Sequence, residues 1–194
     1  MGDQAARTKH HLKEGLMEEI HDGGWSRVTV NKIAERAQYH RTTFYKYYHS
    51  RDEIAQDLRR EMKEEIKRTS MNRYSPGFPV ELADMHEASF ELLYFIQENR
   101  RYFDLLIRQD SLPGAEKDLV EGIYEVLREA FLLAPKSGID VNTPVHKRYM
   151  AYGTAGLIQD WIQAGYQPGP EEVTKQLITV LHAFSKGFVI EEKR

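Results

Sequence analysis

The 194-residue sequence contains no cysteine, which excludes disulfides, thiolate metal sites and cysteine nucleophiles. No stretch approaches the roughly 18 apolar residues needed to cross a bilayer. Met1 to Arg7 lack the apolar core of a secretory signal. A cytoplasmic protein with no membrane attachment is expected. The chain also lacks the usual marks of catalysis. It has no glycine-rich phosphate loop and no serine elbow, and His86-Glu87 is not followed by the second histidine of a zinc-protease helix. His10, His11 and Glu14 have loose metal-ligand spacing and are read as the solvated start of a helix. No enzyme, cofactor or metal is expected. Repeats and low-complexity segments are missing too, as is any run of alternating polarity that would mark a strand.

What remains is an ordinary globular composition, 41% hydrophobic and 29% charged. The length suits one domain, or a small domain joined to a larger one. The formal net charge is −3, which at first sight argues against nucleic acid. Its distribution argues the other way: residues 1–51 carry 9 Lys/Arg against 6 Asp/Glu, and the other 143 residues carry 18 against 24. Five of the eight histidines (His10, His11, His21, His40, His49) lie in the basic quarter. A basic end on an acidic body steers that end toward phosphates. The acidic total disfavours a nonspecific coating protein, which relies on phosphate neutralisation.

Helical periodicity divided by breakers predicts an all-α chain of about nine helices. Leu12, Leu16 and Ile20 recur at i+4 in a first helix from about Ala6 to Asp22, stopped by Gly23-Gly24. Thr29 caps a short second helix, Val30 to Ala37, with Ile33, Ala34 and Ala37 facing inward. Gln38-Tyr39-His40 forms a turn, and a third helix runs from Arg41 to about Tyr48. Ser50-Arg51-Asp52-Glu53 is a capping box opening a long fourth helix to about Met71, with Ile54, Leu58, Met62 and Ile66 at i+4. The clearest loop is Asn72–Val80. Beyond it, helices are expected over about Glu81–Glu98, Arg100–Gln109, Ala115–Leu133, from Thr143-Pro144 to Gly165, and from Gly169-Pro170 to Gly187.

Two short helices joined by a tight turn, with small residues where they meet, are the requirements of a helix-turn-helix. Ile33, Ala34 and Ala37 facing Phe44 and Tyr48 meet them. The second of these helices then offers Arg41, Thr42, Thr43, Tyr45, Lys46 and Tyr47, and no acid occurs between Gln38 and Arg51. Such a surface can lie against a polyanion.

The run Val28-Thr29-Val30-Asn31-Lys32-Ile33-Ala34, then Thr43-Phe44-Tyr45-Lys46-Tyr47-Tyr48, then Ser50-Arg51-Asp52-Glu53-Ile54, resembles the N-terminal domain of the TetR family. The match covers about Lys9 to Leu58. The turn departs from the family's usual Ala-Gly-Val-Ser: without the glycine, Gln38 must take a backbone geometry that a side chain tolerates less well. Tyr39 replaces a small apolar plug, and His40 replaces a serine cap. The resemblance implies DNA contacts from Thr29, Gln38, Tyr39, His40, Arg41, Thr42, Thr43, Tyr45, Lys46, Tyr47 and Arg51. Among these, Tyr45 matches a phosphate-contacting tyrosine and Arg41 is the candidate for a bidentate guanine contact. Tyr48 is read as a core aromatic.

Further along, Tyr152-Gly153-Thr154-Ala155-Gly156-Leu157-Ile158-Gln159-Asp160-Trp161 and Pro170-Glu171-Glu172-Val173 resemble the dimerisation end of one TetR subgroup. Gly153, Gly156, Leu157, Leu177 and Leu181 are the expected interface of a homodimer. Met62, Phe90, Tyr94, Phe103, Tyr124 and Trp161 are candidate walls of an effector pocket, with plain core as the alternative. The expected organisation is a three-helix DNA-binding domain over residues 1–51 and a helical dimerisation and sensing domain over residues 52–194. The implied function is a dimeric, ligand-responsive repressor on a pseudo-palindromic double-stranded DNA operator, with a small-molecule effector shifting the fourth helix. The alternative is a regulator or coactivator of the same fold that works mainly through a protein partner.

Overall fold

A computed structural model describes residues 2–136 and 138–191. Among them the chain forms nine α-helices and a small three-stranded sheet. By internal contacts it divides into two compact units. The first comprises the residues up to Met62 together with Arg101–Glu116, and the second comprises Lys63–Arg100 with Lys117–Arg194. The division thus falls within the fourth helix rather than at residues 51 and 52, and the first unit recruits a segment distant in sequence.

In the first unit, α1 (Gly2–Gly23) buries Leu12, Leu16 and Ile20 completely, as their i+4 spacing requires. A 3₁₀ turn at Trp25–Arg27 leads to α2 (Val30–Arg36). There the Thr29 side chain accepts a hydrogen bond from Lys32 N at 3.3 Å, the expected N-cap. α2 crosses α1 at Gly15, where an added Cβ would stand 2.8 Å from the Ile33 carbonyl oxygen. Only a glycine permits that approach. After the turn comes α3 (Arg41–Phe44), a single helical turn continued by irregular turns to Tyr47, so the regular helix is shorter than predicted. α4 (Arg51–Met71) opens with the Ser50 hydroxyl accepting from Glu53 N at 3.1 Å. The Glu53 carboxylate turns to His49, accepting from its backbone N at 2.6 Å rather than closing the box on Ser50.

The second unit contains the rest of α4, then β1 (Pro79–Glu81), α5 (Glu91–Glu98), α7 (Asp118–Glu129), β2 (Phe131–Pro135), α8 (Pro144–Gln163), α9 (Pro170–Leu181) and β3 (Ser185–Ile190). α6 (Arg100–Phe103) is one turn followed by a 3₁₀ segment to Ile107, shorter than the predicted helix to Gln109. β3 is the central strand, antiparallel to β1 and β2 in the order β1-β3-β2.

The fold is the expected all-α one, and its small sheet alters three of the expected helix bounds. The predicted fifth helix begins at Glu91, not Glu81; the seventh ends before Phe131; and the ninth ends at Leu181, with a strand replacing its last turn. Strands of three to six residues are too short to display a period of their own, and they form because distant partners supply their hydrogen bonds. Phe131 pairs with Ile190 and Pro79 with Val189. Gly187 sits where the Val80 carbonyl approaches so closely that a Cβ would collide with it. The sheet's inner face joins Leu82, Val126, Val141 and Met150 in a buried cluster with Phe131, Leu133, Phe188 and Ile190. Burial of this kind stabilises by roughly 1.5–3 kcal/mol per large side chain.

Candidate nucleic-acid interface

The turn between α2 and α3 hinges on Gln38, whose φ of 59° places a non-glycine residue in the left-handed region. This is the geometry expected of that position. Phe44 and Tyr48 point inward at 0% and 2% exposure, and their rings pack together with centroids 5.8 Å apart. Anchoring these two aromatics turns the opposite side of the segment to solvent: Arg41, Thr42, Tyr45 and Lys46 are exposed, and Thr43 and Tyr47 are half-buried.

Two kinds of basic group stand out in this unit. In one set, each cation has an internal partner. Arg36 donates to Glu19 at 2.7 Å and also pairs with Asp22, and Lys32 stands 3.5 Å from Glu19. Lys13, nearly buried, pairs with Asp57 at 2.8 Å and with Glu61. In the other set stand Arg41 and Lys46: among the described residues no carboxylate lies within ion-pair reach of either. Their charge is uncompensated, and both project from the same exposed turn.

Arg51, one of the residues expected to touch DNA, also has internal partners. Its guanidinium donates to the carbonyls of Trp25 at 3.0 Å and Val28 at 2.7 Å and stacks over the Trp25 ring at 4.6 Å. Tyr39 does not jut freely; it stacks on His11 of α1, and its hydroxyl lies 3.0 Å from His11 Nδ1. His40 precedes α3 without a side-chain cap, and Gln38 is exposed. Thr29 is exposed while it caps α2.

A largely buried polar triad holds the end of this segment. The Tyr48 hydroxyl donates to Asp57 at 2.8 Å, and Lys13 shares that carboxylate. Burial acts to raise the Asp57 pKa, but the hydrogen bonds from Lys13 and Tyr48 outweigh it and hold the carboxyl below its usual range. Burial, then the bond to Asp57, pushes the Tyr48 phenol well above its ordinary value. Sequence reasoning missed this triad. Its one signal was a lysine on the buried side of α1, four residues before Met17.

A family model described as bacterial regulatory proteins of the tetR family matches residues 14–58. A second, for the C-terminal region of transcriptional regulators of this type, matches residues 83–183, more than half of the chain. The chain belongs to the TetR family. An uncharacterized HTH-type transcriptional regulator, YxbF, of Bacillus subtilis (strain 168) is 26% identical over 171 residues, covering 86% of this chain and 42% of that protein. The chain therefore spans less than half the length of that curated relative. Among solved structures, a TetR-family regulator from Haemophilus influenzae RD superposes with a TM-score of 0.64 at 16% identity, covering 94% of this chain and 99% of that one. FadR from Bacillus subtilis, solved in complex with stearoyl-CoA, gives 0.58 at 14% identity, covering 89% and 96%. At such identities the structures speak for the fold.

In the second unit of this TetR-family chain, a cavity of about 80 Å³ opens between α5, α7, α8, α9 and the sheet. Its walls are apolar, chiefly Leu93, Val126, Phe131, Met150, Ile158 and Phe188. Among the described residues, Ser70, Tyr74, Thr154 and Ser185 are its only polar side chains, and none carries a charge. Of the six residues expected to line a pocket, Phe90 lines this cavity, and Trp161 lines a second, more open pocket beside Leu157, Pro168 and Val173. Met62 and Phe103 are buried in the first unit. Tyr94 bonds Glu171 at 3.0 Å, Tyr124 lies under the Arg148 guanidinium at 3.8 Å, and the Trp161 indole donates to the Pro168 carbonyl at 2.7 Å. Each of these aromatics also has a local partner.

The five residues expected at a dimer interface also divide. Gly153 and Gly156 of α8 lie open, with nothing within 4 Å of a Cβ at either position. Leu157 joins them at 41% exposure on the same helix as exposed Tyr149 and Tyr152. Leu177 and Leu181 turn inward and line the cavity. Among the described residues no group of His, Asp or Glu is arranged to hold a metal ion, and no helix is long and apolar enough to cross a membrane.

Proposed function

We propose that this TetR-family chain is a sequence-specific, DNA-binding transcriptional regulator of the cytoplasm, a repressor that acts as a homodimer on a pseudo-palindromic operator. The observation that carries the reading is the pair of uncompensated cations, Arg41 and Lys46, on an acid-free exposed turn. Lys13, Lys32 and Arg36 are by contrast paired with carboxylates within the fold. Phosphate contacts position such a surface and base-edge contacts specify its site. Thr42, Thr43 and Tyr45 supply hydroxyls beside the cations. Two subunits would place these turns in successive major grooves, about 34–36 Å apart.

Dimerisation is assigned to the open face of α8, where Gly153, Gly156 and Leu157 sit beside exposed Tyr149 and Tyr152. The glycines permit a partner helix to approach closely. Gly156→Leu is expected to raise the dimer dissociation constant at least tenfold while the monomer fold persists. A protein that sediments as a full dimer would remove α8 from the interface. The apolar cavity is the proposed effector site, and the lack of a charged wall selects a neutral, largely apolar small molecule or the apolar part of a larger one. Such a ligand regulates only if it binds the two functional states unequally.

The experiment that tests the reading is selection of bound sequences from a random duplex pool at physiological salt, followed by titration of the recovered site. Wild-type protein is expected to recover a palindrome with half-site centres about one helical turn apart. Tyr45→Ala combined with Lys46→Ala should weaken binding by on the order of 100-fold, since the turn loses one cation and the ring and hydroxyl that hold Arg41. Its dimerisation and melting should not change. Unaltered affinity in that double variant would displace the recognition surface from α3.

A further inference from the structure

The Arg41 guanidinium of the exposed turn has no carboxylate partner, but it is not loose. Arg41 Nε and its terminal nitrogen donate to the Tyr45 hydroxyl at 3.3 and 2.9 Å, and the guanidinium carbon stands 5.2 Å from the centre of the Tyr45 ring. The spacing is i,i+4, so one helical turn brings the two side chains together. The Tyr45 ring is itself held: it packs edge-on against Phe44, centroids 5.6 Å apart, and Phe44 is completely buried. A rigid chain of contacts therefore runs from the core, through Phe44 and Tyr45, to the guanidinium of Arg41.

We infer that Tyr45 is a positioning residue that presents Arg41 to a guanine, and that the pair acts as one base-reading unit. This rests on the DNA-binding reading above and assigns Tyr45 a task other than holding phosphate. A free arginine side chain gives up several rotamers when it docks. An arginine fixed at its Nε side by a phenol has less to lose and keeps its outer N–H groups free for the O6 and N7 of guanine. The Tyr45 hydroxyl accepts from Arg41, so its own proton is left free to donate outward.

The test compares affinities for the selected operator and for a copy with a single base pair changed. Arg41→Ala in the duplex selection identifies the position, as the one guanine whose preference is lost, by roughly five- to a hundredfold. Tyr45→Phe keeps the ring and removes the hydroxyl. The ratio of affinities for the guanine site and its changed copy should fall roughly two- to tenfold at that same position, with the other positions retaining their preferences. Equal weakening on both duplexes would make Tyr45 a phosphate contact and overturn the pairing. So would an Arg41→Ala protein that loses preference at no position. A wild-type protein that selects no sequence overturns the DNA-binding reading itself, a result distinct from either.

Discussion

Gly15→Val is expected to destabilise the first unit severely and to weaken DNA binding with it. A Cβ at this position would stand 2.8 Å from the Ile33 carbonyl oxygen, 3.1 Å from Ala37 N and 3.2 Å from the Arg36 Cβ. Two of these three neighbours are backbone atoms of α2 and the residue after it, so no rotamer change relieves the contact. α1 and α2 would have to separate along the seam where Leu12, Leu16 and Ile33 are fully buried. Alanine sets the scale: its helix propensity returns about 1 kcal/mol relative to glycine, against an overpacking cost of roughly 1–3 kcal/mol. Valine adds two more methyl groups and forgoes most of that propensity gain, so a net loss of about 3 kcal/mol or more is expected. At roughly 4–8 °C per kcal/mol for a unit of this size, the first unit should melt more than about 10 °C lower. A melting curve superimposable on wild type would show that α1 and α2 can part without cost, contrary to the close crossing described.

The second large effect is expected from Lys13→Met. The lysine side chain is 8% exposed and the Asp57 carboxylate it serves is 14% exposed. Removing one member of a buried pair costs on the order of 3–5 kcal/mol, because the other charge stays behind without its partner. Arg60 and the Tyr48 hydroxyl still reach Asp57, which places the expected loss near the lower figure. Asp57→Asn added to Lys13→Met should recover part of it, as coupled neighbours do. The pH dependence has a definite sign. Asp57 has a depressed pKa in the folded state, so its contribution is present above the unfolded carboxylate value, about 4. It is lost as pH falls through the folded value. Without Lys13 that depression shrinks, so the stability gap between wild type and Lys13→Met should be largest at neutral pH and narrow below about pH 4. Urea titrations at pH 7 and pH 3.5 measure both gaps, and equal gaps would mean that the lysine acts through packing alone. Tyr48 closes the recognition segment, so the same variant should also weaken operator binding.

Both effects arise where chain segments meet, and the contrast with the helix ends is instructive. Thr29, Ser50 and Thr143 each accept the backbone hydrogen bond that their sequence context implies. The i+4 rows of α1 and α4 are buried as written. The family resemblance over Lys9–Leu58 is matched by the family model over residues 14–58. The candidate site was legible in the same stretch because a recognition turn is built from neighbours in sequence: Phe44 inward, Arg41 and Lys46 outward. The part that was not legible is the internal bonding of Arg51 to the Trp25 and Val28 carbonyls. Nothing within four residues of Arg51 announces those acceptors.

By itself the sequence determined the helices, their caps, the left-handed turn at Gln38 and the family, because caps, turns and helical faces are settled by interactions within about four residues. The tertiary structure alone decided the three strands, whose partners are brought together from across the chain. It alone decided that Leu177 and Leu181 face a cavity while Gly153, Gly156 and Leu157 face outward, and that of six candidate aromatic and methionine walls only Phe90 lines that cavity. An apolar residue at helical spacing states that it will be buried. Which space it fills depends on the elements that pack against its helix, and those are chosen by complementarity of volume and by pairing of distant backbone groups.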